Sequence, residues 1–304
     1  MPDEPVVPDA VQLLLDERAG ARQARDWERA DALRDELAAL GWEAQDSPSG
    51  SSARPILASE PDAAGLDDPA AVPASIQVVA EDHPDDLARL LTGLAEHPPA
   101  TESELVITAN APSFELDTLV AAAGLADQPR ILVTDERLGW ADSRTFGMRR
   151  SRGEVTILLD TSLEPTGDFV APLLAAFEDP TVGIAGGWGV TSEDAREFAD
   201  APPGEVDAIE GYCLAVRRDA LRAAGGFDRR FRWYRNADLD FSFAIRDVGW
   251  RAIRTEPLPL ARHEHRGYAS LTEEERDRLS RRNFYRFLDH WRDRPDLLLH
   301  LRDR

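Results

Sequence analysis

From residue 75 onward the chain alternates short apolar runs with amphipathic stretches, and this rhythm restricts the fold more than any other feature. Residues 76–80, 104–108, 130–134 and 155–159 read as short buried strands. Residues 84–96, 114–123 and 141–150, which fall between them, read as helices. Strands alternating with helices imply an α/β fold, with a mostly parallel sheet flanked by helices. Such sheets bind ligands at the carboxyl ends of their strands. Asp160 follows the fourth run directly and is the acid expected at such an end.

The 304 residues leave room for one large domain or two smaller ones, and 42% hydrophobic residues suffice for a core. Residues 1–46 read as a helical hairpin with helices over 9–25 and 27–40. Val11, Leu14 and Leu15 share a face of the first; Trp27, Ala30, Leu33, Leu37 and Leu40 recur at helical spacing in the second. Asp26 fits an N-cap and Gly41 a C-terminal cap. Residues 47–73 are rich in Ser, Pro, Gly, Ala and Asp without periodicity, so a flexible linker is expected there. The α/β domain then spans 74–268. Residues 269–304 form an Arg-rich helical tail, capped by Ser270 or Thr272. Its apolar stripe of Leu279, Phe284, Phe287, Leu288 and Trp291 would pack on the domain.

Composition removes whole classes of chemistry. All 35 basic residues are Arg, which excludes Schiff-base lysines, pyridoxal phosphate enzymes and the P-loop lysine. The single cysteine, Cys213, excludes an internal disulfide and a cysteine metal cluster. Against those arginines stand 57 acids, a net charge of −22. Of these acids 26 lie in residues 1–130, beside only 8 arginines, which disfavours non-specific nucleic-acid binding. There is no apolar run of membrane-spanning length, and the acidic start Met1-Pro2-Asp3-Glu4 lacks the apolar stretch of a signal peptide. A cytoplasmic protein is expected. Arg281, Arg282, Arg286, Arg292 and Arg294 offer a peripheral contact with the inner face of a membrane, although interspersed acids favour a solvated face.

Four segments carry candidate chemistry. The first is Leu138-Gly139-Trp140-Ala141 with Arg144 and Gly147, followed by Arg152-Gly153-Glu154 and the strand ending in Asp160. An acid at a strand end suits a hard cation holding a diphosphate, and equally an ordinary turn. The second runs from Gly211 to Arg218, a strand entering a helix, and closes at Gly225-Gly226-Phe227-Asp228. The third, Asn236-Ala237-Asp238-Leu239-Asp240, puts two carboxylates at a helix start, where they either cap the helix or act as a general base. The fourth is His263-Glu264-His265; on a strand, both rings would point to one face as potential metal ligands.

Taken in order, the four segments resemble the family 2 glycosyltransferases of the GT-A fold over about residues 74–268. The most specific part is the succession of Gly225-Gly226-Phe227-Asp228, Ala237-Asp238-Leu239-Asp240 and Gly249. The resemblance implies transfer of a sugar from a nucleotide-sugar donor to an acceptor hydroxyl with inversion. The acceptor would be a glycan, a lipid-linked sugar or a protein. On that template Asp238 is the base, with Asp240, Trp233 and Tyr234 on the acceptor side. Asp160, Ser162, Gly139, Arg144 and Gly211 belong to the donor side. Asp160 with His263 or His265 would hold a divalent metal, Mg2+ or Mn2+. Several positions depart from the pattern: its Asp-x-Asp reads Asp160-Thr161-Ser162, the acid ending the second strand is Ala109, and the first acid of its Glu-Asp-x-Asp is Ala237. Glu81, Asp82, Asp135 and His265 are the residues available to compensate. A catalytically degenerate binding module on the same scaffold is the alternative.

A second resemblance covers about residues 10–50. Arg18, Ala21-Arg22, Ala24-Arg25-Asp26-Trp27, Ala30 through Asp35, Leu37, Gly41 and Asp46-Ser47-Pro48 look like the C-terminal helical region of cysteinyl-tRNA synthetases. That family uses the region in recognising tRNA. Here residues 9–50 hold 10 acids and 5 arginines, so a dimerisation or docking role is expected and no specific nucleic acid.

Overall fold

In the computed structural model, residues 7–39, 42–47, 50–55 and 64–302 are described. The chain divides into two units, Met1–Pro61 and Asp62–Arg304.

The first unit opens with α1 (Asp9–Gln23) and α2 (Trp27–Ala39). Asp26 caps α2, its Oδ1 accepting from Arg29 N at 3.0 Å. Arg29 ties the pair further, reaching Glu17 of α1 at 3.1 Å, and pairs within α2 with Glu36 at 3.4 Å. Val11, Leu15 and Leu37 are buried between the helices. Trp27 departs from the expected stripe: it is 56% exposed, with the Arg22 guanidinium over its ring. The expected Leu40 and Gly41 contributions lie outside the described residues. The linker reading of 47–73 needs correction. An antiparallel hairpin, β1 (Trp42–Ser47) with β2 (Gly50–Pro55), enters that stretch, and a short α3 (Ala64–Asp67) follows. The hairpin is hard to see in sequence because, among the described residues, it contributes only Trp42, Ala44 and Ala53 to the cover of the small helical core.

The second unit begins as the rhythm predicts, with β3 (Val72–Ala80), α4 (Pro84–Glu96), β4 (Ser103–Ala109), α5 (Leu116–Ala122), β5 (Arg130–Val133), α6 (Trp140–Arg150) and β6 (Gly153–Leu159). β3 lies parallel between β4 and β6, and β4 pairs in parallel with β5. Leu87, Leu90, Leu91 and Leu94 of α4, at helical spacing, are all buried. Each contributes about 2 kcal/mol by leaving water.

Beyond β6 the pattern changes. There follow β7 (Leu163–Pro165), α7 (Val170–Ala176), β8 (Val182–Gly186), β9 (Gly189–Ser192), β10 (Phe198–Asp200), β11 (Gly204–Glu205), β12 (Ala208–Ile209) and β13 (Cys213–Arg217). Then come α8 (Arg218–Ala224), α9 (Ala237–Asp247), β14 (Arg251–Arg254), β15 (Leu260–Arg262), α10 (Arg266–Ala269), α11 (Glu273–Trp291), a 3-10 turn (Pro295–Leu297) and α12 (Leu299–Arg302). The main sheet has eight strands in the order β11-β14-β8-β13-β6-β3-β4-β5. β13 is inserted antiparallel between β6 and β8. Alternate residues of β13 join different cores, Leu214 and Val216 one and Cys213 and Ala215 the other. The sheet is therefore covered on both faces.

Two glycines let helix and turn approach the sheet. A Cβ at Gly147 would fall 2.3 Å from Gln77 Nε2, so α6 lies directly on β3 and β4. Gly226 has φ +104° and would meet Thr145 at 2.6 Å, which locks the turn after α8 onto α6. Thr272 caps α11 in a reciprocal box with Glu275. Phe287 and Leu288 then bury the helix against the second unit's core. No helix among the described residues is long and apolar enough to cross a membrane.

Candidate active site

The carboxyl end of β6, the 138–140 loop, the 232–236 loop and the start of α10 surround a two-lobed cleft. The smaller lobe, about 340 Å³, is lined by Glu81, Asp82, Arg137, Leu138, Arg144 and Ser162, among others. The larger, about 610 Å³, is lined by Phe198, Glu210, Gly211, Tyr212, Asp238 and Phe284, among others. Trp140, Asp160, Tyr234 and His265 line both and mark the junction.

Asp160 is anchored by its own backbone, whose N–H donates to Tyr212 O at 2.9 Å. Its Oδ1 accepts from Ser162 N at 2.9 Å and Ser162 Oγ at 2.6 Å. The serine that stands where a second carboxylate was expected thus orients the first. Asp160 Oδ2 lies 3.7 Å from His265 Nε2. The Nδ1 of His265 accepts from Tyr268 N at 3.2 Å. The same N–H donates to His265 O at 2.9 Å, and the ring's Nε2 is the nitrogen turned toward Asp160. Tyr234 stacks on that imidazole, ring centroids 4.6 Å apart. Burial pushes the Tyr234 hydroxyl well above its ordinary value, so it stays protonated.

Asp238 opens α9 and reaches the floor of the larger lobe. Its Oδ2 accepts from Gly211 N at 2.8 Å and its Oδ1 from Leu239 N at 3.0 Å. Burial pushes its carboxyl above the ordinary range, against the pull of those two amides. The result is a fixed carboxylate with a strengthened appetite for a proton.

The smaller lobe is organised by buried Asn110, one residue past Ala109. Its Nδ2 donates to Glu81 Oε1 at 2.8 Å and Leu138 O at 3.1 Å, and its Oδ1 accepts from Leu138 N at 2.7 Å. Arg144 pairs with Glu81 at 3.4 Å and lies over the Trp140 ring at 4.4 Å. Asp82 binds Arg137, and that hydrogen bond holds its carboxyl below the ordinary value.

Several expected site residues sit elsewhere. Asp240 is buried away from the cleft; its Oδ1 is 2.9 Å from His290 Nδ1 and accepts from Trp291 Nε1 at 2.8 Å, so it anchors α11. An i,i+2 spacing on a helix turns the second side chain well away from the first, which is why two neighbouring aspartates part company. His263 follows the end of β15 and lies 2.6 Å from Glu164, on a different partner from His265. The strand stops at Arg262, so the two rings do not share a face. Trp233 lines the smaller lobe and not the larger, where Asp238 lies. Gly139 is the N-cap of α6 and packs on Arg232 without lining either lobe. Glu210, Asn110 and the α11 wall of the larger lobe escape sequence reading. Glu210 alone carried a signal, its place beside Gly211.

The donor set at the junction fits a divalent ion only in a spare form. Asp160 supplies one free carboxylate oxygen, which suffices for Mg2+ or Mn2+ if substrate phosphates and water complete the shell. Among the described residues, the group of three potential ligands found within 4.8 Å of one another is Asp228, Asp240 and His290, in the α11 anchor and not at the junction.

Comparison with known proteins gives a family for this arrangement. The model described as glycosyl transferase family 2 matches residues 75–238, and that of the cysteinyl-tRNA ligase anticodon binding domain matches residues 4–50. The pre-mycofactocin glycosyltransferase of Mycobacterium tuberculosis (strain ATCC 25618 / H37Rv) is 27% identical over 165 residues, 48% of this chain and 33% of the relative. A cysteine–tRNA ligase of Nitratidesulfovibrio vulgaris (strain DP4) is 62% identical over 40 residues, 13% of this chain and 8% of the relative. The chain thus spans about a third or less of these curated relatives. Among solved structures, GalNAc-T7 with UDP, GalNAc and Mn2+ aligns at a TM-score of 0.60 and 16% identity, covering 74% of this chain and 50% of that one. The mannosyltransferase PcManGT from Pyrobaculum calidifontis, in complex with GDP-Man and Mn2+, aligns at 0.52 and 20%, covering 71% and 66%. At these identities the likeness speaks to the fold, which is GT-A.

Proposed function

The chain belongs to glycosyl transferase family 2, and we propose that it moves a sugar from a nucleotide-sugar donor to an acceptor hydroxyl with inversion. The observation that carries this reading is Asp238, held by two backbone amides in the larger lobe while Asp160 stands at the junction of both lobes. In this reading the nucleotide occupies the smaller lobe, beside Trp140, Arg137 and Arg144. The diphosphate meets Asp160 and the Nε2 of His265. Asp160 would hold Mg2+ or Mn2+, whose chemistry when bound is to neutralise charge on the departing diphosphate. Asp238 takes the proton of the acceptor hydroxyl as its oxygen bonds to the anomeric carbon. The bond from that carbon to the diphosphate breaks on the opposite face, and the diphosphate leaves with the electron pair. A single displacement of this kind inverts the anomeric centre.

Residues 1–61 are proposed to dock a partner or a second copy of the chain rather than to read RNA. With 10 acids and 5 arginines over 9–50, this segment offers little to phosphate.

A thermal-shift titration with UDP-, GDP-, dTDP- and ADP-sugars, each with and without Mn2+, tests the donor side. A metal-dependent rise in melting temperature for one nucleotide class is expected, because a ligand bound only by the folded state stabilises it by about 2.7 kcal/mol at a hundred times its Kd. The absence of a shift with every donor at millimolar concentration would favour a non-catalytic scaffold, the reading that Ser162 in place of a second carboxylate would then support.

A further inference from the structure

Glu210 takes no part in the chemistry above, yet it lines the larger lobe with Asp238. Its backbone is fixed, Glu210 N donating to Trp188 O at 3.0 Å. The next residue, Gly211, donates its N–H to Asp238 Oδ2 at 2.8 Å. One short turn therefore carries Glu210 and holds Asp238, and both carboxylates line the same lobe near enough for their charges to interact. The Asp238 contact is satisfied by backbone, whereas the Glu210 side chain makes no hydrogen bond or ion pair among the described residues. The Arg262 guanidinium, on the same side, lies over the Tyr212 ring at 4.9 Å instead. Burial pushes the Glu210 carboxyl up, and the charges of Asp238 and Asp200 push the same way, against Arg262 and Arg235. A half-buried acceptor that faces a cavity and has no protein donor is satisfied by what enters the cavity.

We propose that Glu210 binds the acceptor, accepting a hydrogen bond from a second hydroxyl adjacent to the one that Asp238 deprotonates. The acceptor class is then a vicinal diol, as on a sugar ring, and not an isolated alcohol such as a serine side chain. The aromatic rings of Phe198, Tyr212 and Phe284 in the same lobe suit the flat faces of such a ring. This inference rests on the transferase reading.

The test uses the full chain and the nucleotide sugar selected by the titration above. Donor hydrolysis, with water as acceptor, is measured beside transfer to the methyl glycosides of glucose, galactose and mannose and to propan-1-ol. Wild type is expected to use at least one glycoside and to leave propan-1-ol untouched. In Glu210→Ala the ratio of transfer to hydrolysis should fall at least tenfold, chiefly through the glycoside KM. Glu210→Gln, whose amide oxygen still accepts, should recover most of it. An unchanged ratio in Glu210→Ala, a Gln variant no better than Ala, or wild-type transfer to propan-1-ol as fast as to a glycoside would overturn the inference. So would a wild type that hydrolyses the donor but uses no glycoside. A wild type that turns over no donor at all would bring down the transferase reading, and this inference with it.

Discussion

In the proposed reaction Asp160 serves the donor end on one carboxylate, with Ser162 holding its other oxygen. Asp160→Asn should therefore abolish the Mn2+-dependent part of nucleotide binding while leaving metal-free binding within about twofold; calorimetric titration with and without Mn2+ reads both. The acceptor end follows a different rule. Burial raises the Asp238 carboxyl, and a general base works only when ionised. The acid limb of the turnover profile should consequently lie above the ordinary aspartate value of 3.8, with the rate falling as pH falls through it. Initial rates across pH 4 to 8 on the order of half-unit steps check this. At this scale the positions of Asp160 and Asp238 are legible in the sequence, one directly after a buried strand and the other at the start of a helix; their roles belong to the proposed reaction. Asp240 and His263 mislead because spacing along a chain does not say which face a side chain leaves by. Asn110 stays hidden, because it gains meaning only from partners distant in sequence, and Glu210 gives no more than its place beside Gly211.

At the scale of elements, the alternation from β3 to β6 is plain because β3, β4 and β6 carry runs of consecutive buried residues, while the helices bury one face; β5, at the sheet edge, is only partly covered and exposes Val133. The segment from β7 to β12 is obscure: its strands are two to five residues long, too short to show a period. β13 is legible as a strand entering α8, but its antiparallel direction is not, since an apolar run does not declare its direction. α11 is more than a tail. It lies outside the family-matched residues 75–238, yet Arg281 and Phe284 line the larger lobe. Buried Asn283 holds the 233–235 loop in place, its Nδ2 donating to Trp233 O and Arg235 O at 2.8 Å. Asp240 fixes the far end of the helix through His290 and Trp291. Asp240→Ala leaves those groups without their acceptor and should cost about 1–3 kcal/mol in urea unfolding. The acceptor KM should rise with it, and nucleotide affinity should stay within about twofold, because α11 borders the larger lobe and not the smaller.

For the whole molecule, the two units have separate cores: Val11, Leu15 and Leu37 form one, and the two faces of the eight-stranded sheet form the other. Deleting residues 1–61 should leave the nucleotide-induced thermal shift within about 1 °C of the full chain, a change of only a few tenths of a kcal/mol. A lost shift would tie the first unit to the donor site. The division of labour within the second unit is the account's central claim: the nucleotide is held at the smaller lobe and the proton is taken at the larger. Asp238→Asn tests it most directly. Turnover should fall by roughly two to four orders of magnitude, the range that a positioned general base contributes, while donor affinity by calorimetry stays nearly that of wild type. Turnover equal to wild type, or donor binding lost together with turnover, would contradict the account.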